Sequence, residues 1–422
     1  MQNSVFVLDT NKQPLSPCRP SIARKLLQNG KAAVYRRYPF TLILKRVVAL
    51  AEPVPSITVK VDPGSKTTGI ALVQDSRVVF AAELEHRGQQ IKNALEKRRA
   101  VRRSRRQRKT RYRKPRFDNR RRPEGWLAPS LKSRVDNLQS WLMRFIKLCN
   151  VQAISMELVR FDMQLMQDAE ISSVEYQQGE LAGYEMREYL LEKFERKCCY
   201  CGKTGIPLEI EHITPKSRGG SDRVSNLCLA CRPCNQRKGS KTAAEFGYLG
   251  IQAQAKKPLK DASTVNSVRW ATWRMFSATG LPVEVGTGGR TKFNRTRQGY
   301  PKAHWIDAAC VGQSGQAVEL SPNLKPLALK AVGRGVRQMC HMNKYGFPRT
   351  SAKTGKRFFG FQTGDMVKAL VPKGKNKGTH TGKVAVRSTG SFAILFQKGK
   401  IDGIKHEYLK RLHAQDGYAY AN

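Results

Sequence analysis

The sequence is short of acid: 32 Asp and Glu stand against 77 Lys and Arg in 422 residues, a formal net charge of +45 at pH 7. A field of that size makes a polyanion the expected partner. Long apolar runs are also missing; none approaches the roughly 18 residues of a membrane span, and no secretory pattern opens the chain. Nucleic acid is therefore expected in place of an anionic membrane, and the protein is expected to be soluble and intracellular. Internal repeats are absent. Ten cysteines in a chain this long, four of them in metal-like pairs, argue for a reducing compartment over a disulfide scaffold. Cys18, Cys149, Cys199, Cys228, Cys310 and Cys340 read as free, mostly buried thiols.

What is present divides the chain into segments, and the length has room for two to four compact units. Residues 1–52 form a small lobe: a strand Val5 to Leu8, a Pro14-Leu15-Ser16-Pro17 turn, a helix from Ser21, and a β-rich run from Ala33 to Leu44. Pro53 and Pro55 form a hinge. Residues 53–90 alternate toward a strand ending at Asp62, turn at Pro63-Gly64, and continue as a strand from Thr68 to Val73. Residues 123–193 hold an amphipathic helix with apolar positions Leu131, Val135, Leu138, Leu142, Phe145 and Ile146, a buried strand Val151 to Glu157, and a helix from Tyr184 to Phe194. Residues 194–246 are a cysteine module. Residues 247–325 read as a helix (Ser267 to Phe276), a strand (Pro282 to Val285) and a helix carrying His304 and Asp307. Residues 326–422 alternate short strands with Gly- and Lys-rich turns, as a small basic barrel does.

Residues 91–122 stand apart. Positions 92 to 122 hold 17 Lys and Arg against Glu96 and Asp118. A helix basic on every face cannot bury a stripe of its own, so it is expected to lie on a nucleic acid backbone, with Arg98, Arg99, Arg102, Arg103, Arg105, Arg106, Arg108 and Arg111 as its contacts. The bland reading is a basic tail; Leu95 and Val101 keep helical spacing against it, and Pro115 is where the helix should stop.

Two constellations are of catalytic type. Zinc takes four soft ligands at tetrahedral corners, and a Cys-x-x-Cys turn supplies two of them; Cys198 with Cys201 and Cys231 with Cys234 satisfy this. Cys228 with Cys231 is also spaced by two, so other pairings remain open. A structural zinc ribbon needs no Glu211-His212 on a strand and no Asn226 or Asn235 facing it. Hydrolysis of a phosphodiester does need such groups: an imidazole to take a proton from water, and oxygen ligands for a divalent ion. The order His, Asn, Asn between Cys pairs resembles the HNH, or ββα-metal, endonuclease family. That resemblance implies that His212 is the general base, that Glu211 and Asn235 bind a catalytic Mg²⁺, and that Asn226 braces the loop.

The second constellation is spread along the chain. Asp62 and Glu157 end strands, and His304 and Asp307 lie one turn apart on a helix; two divalent ions about 4 Å apart need carboxylates and a histidine placed around them. With Asp62-Pro-Gly-Ser-Lys-Thr-Thr-Gly and Ser-Met-Glu157 they resemble the split motifs of a RuvC-like, RNase H-fold nuclease, in which Asp62, Glu157, His304 and Asp307 would hold two Mg²⁺ ions.

A RuvC-like core interrupted by an Arg-rich helix and then by an HNH module resembles the IscB family, compact transposon-encoded relatives of the large CRISPR effector nuclease. The resemblance spans nearly the whole chain. Pro14-Leu15-Ser16-Pro17 corresponds to the Pro-Leu-Met-Pro signature of that family's first domain, with Ser16 in place of Met. The implied fold class is multidomain α/β: an RNase H-like mixed sheet split by a bridge helix and by a zinc-stapled HNH module, with a small N-terminal domain and a basic, β-rich C-terminal domain that reads the target-adjacent motif. The implied protein is a cytoplasmic prokaryotic ribonucleoprotein, monomeric and on the nucleoid when on target. It uses Mg²⁺, Zn²⁺ and a guide RNA, and cuts both strands of target double-stranded DNA. An RNA-independent HNH nuclease gives no role to the split acid motifs or the basic helix. A zinc-ribbon RNA-binding repressor would need no acid residues, and none of the four is missing.

Overall fold

The computed structural model describes residues 3–48, 54–108, 125–158, 187, 189–191, 193–256, 262–321, 324–334, 340–345, 347–351, 355–396 and 399–421. They belong to two compact units: Met1–Val59 with Lys66–Ala153 and Val318–Asn422, and Lys60–Ser65 with Ile154–Ala317.

The first unit begins with β1 (Val5–Leu8), β2 (Pro14–Cys18), α1 (Pro20–Gln28), β3 (Ala32–Arg36) and β4 (Thr41–Leu44), a sheet of order β2-β1-β4-β3 over a core of Val5, Ala23, Ala32 and Leu42. The Pro14–Pro17 stretch is thus not a turn. It pairs antiparallel with β1, Leu8 opposite Pro14, and as an edge strand it can carry prolines that lack ladder donors.

β5 (Ile57–Asp62), β6 (Thr67–Gln74) and β7 (Arg77–Glu85) follow, then α2 (Gly88–Gln107), α3 (Pro129–Ile146) and β8 (Val151–Glu157). Along α2, eight Lys and Arg accompany Glu96, and only Gly88 is buried. The C-terminal continuation of the basic run, Arg111 and Pro115 included, lies outside the described residues, as does the start of the Tyr184 helix. Beside α2, α3 buries Val135, Leu138, Trp141, Leu142 and Phe145, the apolar stripe its 3.6-residue periodicity calls for.

The second unit holds β9 (Leu208–His212), β10 (Leu227–Cys231), α4 (Arg232–Lys238), α5 (Gly250–Lys256), α6 (Ala262–Ser277), β11 (Val283–Gly286), α7 (Gly288–Arg297) and α8 (His304–Ala309). Here β11 runs parallel to β8, Glu284 opposite Ser155 and Gly286 opposite Glu157, and β5 is next in the order.

The chain then returns to the first unit through β12 (Leu327–Ala331), the short ladder β13 (Arg357–Phe358) with β14 (Phe361–Gln362), β15 (Met366–Val371), β16 (Gly378–Ala385), β17 (Ser391–Phe396), β18 (Gly399–Lys405), β19 (Leu409–His413) and β20 (Tyr418–Ala421). A five-stranded sheet of order β18-β17-β16-β15-β19 packs around Val367, Ala369, Val384, Phe392 and Ile394. The sequence boundary at residue 326 does not coincide with this element. β12 lies parallel to β7 and antiparallel to β20, so the first and last strands of the 326–422 segment extend the β5-β6-β7 sheet, and only the stretch between them forms the five-stranded sheet.

Phe145 is fully buried and meets the rings of Phe6, Phe80 and Trp141 at 6.2, 5.6 and 5.5 Å. Phe145→Ala is expected to remove about 3–5 kcal/mol from this unit, because the lobe, the sheet and α3 cannot all close on the void. Urea unfolding followed by tryptophan fluorescence measures it.

Candidate functional site

The cysteine module is a ββα unit. β9 and β10 pair antiparallel, His212 opposite Leu227 and Leu208 opposite Cys231, and α4 follows at once with Cys231 as its N-cap residue. Its core joins Leu208, Val224, Leu227 and Leu229 to an aromatic cluster of Tyr200, Phe246 and Tyr248, whose rings meet at 5.1–5.5 Å. Four thiols sit at one end. The Sγ atoms of Cys198, Cys201, Cys231 and Cys234 all lie within 4.8 Å of one another, the one such group of three or more Cys, His, Asp or Glu among the described residues. The Cys201 and Cys231 sulfurs are 3.8 Å apart, the edge of a tetrahedron of sulfurs about 2.3 Å from zinc. Burial alone would raise the Cys198 thiol, but backbone N–H groups of Cys201, Cys231 and Tyr200 outweigh it and bring the group to about 7, which favours the thiolate a metal needs. The competing pairing of Cys228 with Cys231 is not used for this cluster: Cys228 turns to Cys199, sulfur to sulfur at 3.2 Å.

The strand and helix carry the remaining residues. His212 Nε2 lies 2.7 Å from Asp222 Oδ1, and Asp222 is paired in turn with Lys216 at 2.8 Å; these two contacts hold the Asp222 carboxyl below its ordinary range. Glu211 is buried, and the fully buried Lys238 sits 2.5 Å from its Oε1 while also donating to the His212 carbonyl at 2.8 Å. Asn235 does not meet Glu211; it donates to Glu209 Oε2 at 2.8 Å. Asn226 accepts from the Thr214 N–H at 2.9 Å and donates to the carbonyls of Thr214 and Ser221 at 3.0 and 2.9 Å, spanning the loop between the strands. The loop closes so tightly at Gly220 that a Cβ there would lie 1.8 Å from the Thr214 carbonyl oxygen.

The acid residues occupy the second unit. β5 ends at Asp62, β8 ends at buried Glu157, and α8 carries exposed His304 and half-buried Asp307 one turn apart. Arg269 on α6 places Nη2 2.6 Å from Glu157 Oε1 and donates through Nε to the Pro63 carbonyl at 3.4 Å, so one guanidinium spans the ends of β5 and β8. On α7, Arg295 Nε lies 2.7 Å from Asp307 Oδ1, off the line of a hydrogen bond. Burial raises the Asp307 carboxyl, although Arg295, Lys302 and His304 all pull it down. Glu157 and Asp307 are thus each held by an arginine, and the four acid-site residues do not gather into a cluster as tight as the thiols. The three carboxylates are hard oxygen donors that suit Mg²⁺, and the His304 imidazole adds one borderline nitrogen donor.

One row deeper, Lys60 is fully buried and donates to the Val311 carbonyl at 2.8 Å and Ser314 Oγ at 2.6 Å. Ser155 and Ser314 donate to Glu284. Burial lowers the Lys60 ammonium to about 8, with Glu284 opposing. The network ties residues 311–314, which leave α8, to β5, β8 and β11, and so fixes the acid-bearing helix to the strand ends.

Sequence reasoning missed Lys238, Asp222, Glu209, Arg269, Arg295 and Lys60. Lys60 shares the alternate positions of the Ile57–Val61 stretch with Thr58, so the pattern gave it a polar face and no sign of burial. Lys238 lies one turn past Asn235 on the segment that follows the second Cys pair, but a lysine there carries no chemistry of its own to mark it. Nothing in local spacing points to the other four.

Comparison with known proteins bears on this geometry. Residues 198–248 match the HNH endonuclease family model. This HNH segment covers the thiol cluster, β9, β10 and α4 together. Residues 5–179 match a family described as RRXRR protein, a pattern that Arg102-Arg103-Ser104-Arg105-Arg106 carries. No curated protein matches. Among solved structures, Streptococcus thermophilus Cas9 in complex with the GGAA PAM matches at 14% identity and a TM-score of 0.23, over 61% of this chain and 32% of that one. The Actinomyces naeslundii Type II-C Cas9 matches at 16% identity and 0.16, over 45% and 27%. The chain spans about a third or less of the Cas9 chains it matches. No described helix is long and apolar enough to cross a membrane.

Cys231→Ser is expected to release the zinc and to unfold the HNH segment locally, since metal binding and folding are coupled in so small a unit. Metal analysis should fall from one zinc per chain to none, and amide exchange should quicken in residues 198–238.

Proposed function

We propose that the chain is an RNA-guided DNA endonuclease of the IscB type. It binds a structured guide RNA, opens complementary duplex DNA beside a short target-adjacent motif, and cuts both strands. The observation that carries this reading is that one strongly basic chain holds two chemically distinct donor sets: an HNH segment with His212, Glu211 and Asn235, and an acid set of Asp62, Glu157, His304 and Asp307. Two separate centres suit two strands.

In the HNH segment the strand presents His212 as the general base. With Nε2–H engaged by Asp222, the nitrogen that takes a proton from water is Nδ1. Glu211 and Asn235 would hold Mg²⁺ there, and Lys238 keeps Glu211 at the end of β9 by pairing with its carboxylate. In the acid set, Asp62, Glu157, His304 and Asp307 would hold the Mg²⁺ ions, with Asp62 as the carboxylate common to both. Bound Mg²⁺ supplies positive charge at the phosphate oxygens in both centres.

The exposed basic face of α2 grips the backbone of the guide and its heteroduplex, and the basic C-terminal sheet reads the adjacent motif; base pairing reads the sequence. The resulting particle is a ribonucleoprotein with one protein chain.

Cleavage of a strand-labelled target duplex tests the division of labour. His212→Ala should stop cutting of the guide-paired strand, at a cost of about 10²-fold or more, and leave the displaced strand nicked. Asp62→Ala should give the mirror result. If either substitution stopped both strands equally with RNA and DNA binding intact, one centre acting twice would replace this reading. Replacing Arg102, Arg103, Arg105 and Arg106 by Gln should flatten the salt dependence of guide binding by about three in log–log slope, four fewer phosphates being neutralised; filter binding across a salt series measures it.

A further inference from the structure

The chain holds few carboxylates, and two of those in the acid set, Glu157 and Asp307, each meet an arginine. Arg269 and Glu157 are 11% exposed in their side chains, and Arg295 and Asp307 are 13% and 17% exposed. Glu157 packs close to the start of α7, where a Cβ on Gly288 would lie 3.2 Å from its Oε1. Its partner reaches the other strand end as well, through the Pro63 carbonyl next to Asp62. Carboxylates arranged to share divalent ions repel one another when no cation is present. A guanidinium is weakly hydrated and always charged, which makes it the side chain best able to take a cation's place there.

We infer that Arg269 and Arg295 are displaceable counterions of the acid set: they neutralise Glu157 and Asp307 in the metal-free protein, and divalent ions must compete them away to load. This rests on the acid set being a two-ion centre, as proposed above. The two arginines are positioning residues, and their removal should act on metal affinity in the direction opposite to simple damage. A lost structural contact weakens or leaves unchanged the binding of Mn²⁺; a lost competitor tightens it.

The experiment is Mn²⁺ titration of the full-length, zinc-loaded protein, with free Mn²⁺ counted by electron paramagnetic resonance. Arg269→Gln and Arg295→Gln, made separately so that one folding failure does not decide the matter, are each expected to bind the same number of Mn²⁺ ions roughly fivefold or more tightly, the coupling expected between two sites that exclude each other. Arg269→Lys, which keeps the charge, should stay near the wild-type affinity. Unchanged or weaker Mn²⁺ binding in the Gln variants, with zinc content and circular dichroism intact, overturns the inference while leaving the two-ion centre standing. Asp62→Ala tells the two failures apart: if it binds as many Mn²⁺ ions as the wild type, the two-ion centre itself fails, and the inference with it.

Discussion

Buried charges and close-set thiols require a counter-charge, and both candidate centres are organised around meeting that requirement. Four thiols within 4.8 Å cannot all ionise unless a cation joins them. Glu211 is buried in the HNH segment with Lys238 against it, and Glu157 and Asp307 sit on arginines. With 77 basic residues to 32 acidic ones, the chain is rich in partners for every buried carboxylate. What differs is the kind of partner: an enclosed lysine for Glu211, and arginines that keep some solvent access for Glu157 and Asp307.

How much was legible beforehand depended on the range of the interaction. β1, β5 and β8 stand at the residues that alternation and apolar runs indicated, because strand patterning is local. The thiol cluster was legible for the same reason: each pair of ligands comes from one turn, and only the choice among Cys199, Cys228 and Cys231 needed coordinates. The PLSP segment was misread because two prolines signal a turn, and edge position in a sheet is not a property of the segment itself. Arg269 lies 112 residues from Glu157, and a single arginine in a helix has no pattern that names its partner. β12 and β20 were hidden in the same way: their partners, β7 and each other, are 245 and 90 residues away or nearly so in the chain, and a short apolar run does not reveal which sheet it joins.

The two centres also differ in how they are built. The HNH segment is contiguous, with β9, β10 and α4 following one another and its own aromatic cluster, so its geometry survives wherever the segment folds. The acid set draws on two strands and a helix separated by more than two hundred residues. It needs a device to register α8 against the strand ends, and the Lys60–Ser314–Glu284–Ser155 network supplies one. A buried lysine is a costly choice for that task unless its charge is answered, and Glu284 answers it: burial would raise that carboxyl, but the hydroxyls of Ser155 and Ser314 and the ammonium of Lys60 hold it below its ordinary range.

The permanence of each counter-charge follows from its chemistry. Zinc among four thiolates is held by every donor at once, and no single side chain can be exchanged without losing the fold of the segment. Lys238 is enclosed, and donates both to Glu211 and to the His212 carbonyl, so moving it would strand a buried carboxylate and free the strand end that carries His212. An arginine ends a long, flexible side chain, and Arg269 and Arg295 retain some solvent access beside their carboxylates. Only such a group can leave without unfolding anything. On the proposed two-ion reading, a centre that binds ions, turns over and releases its product is best closed by counterions of that kind, whereas a centre that must hold its shape is best closed by the other two.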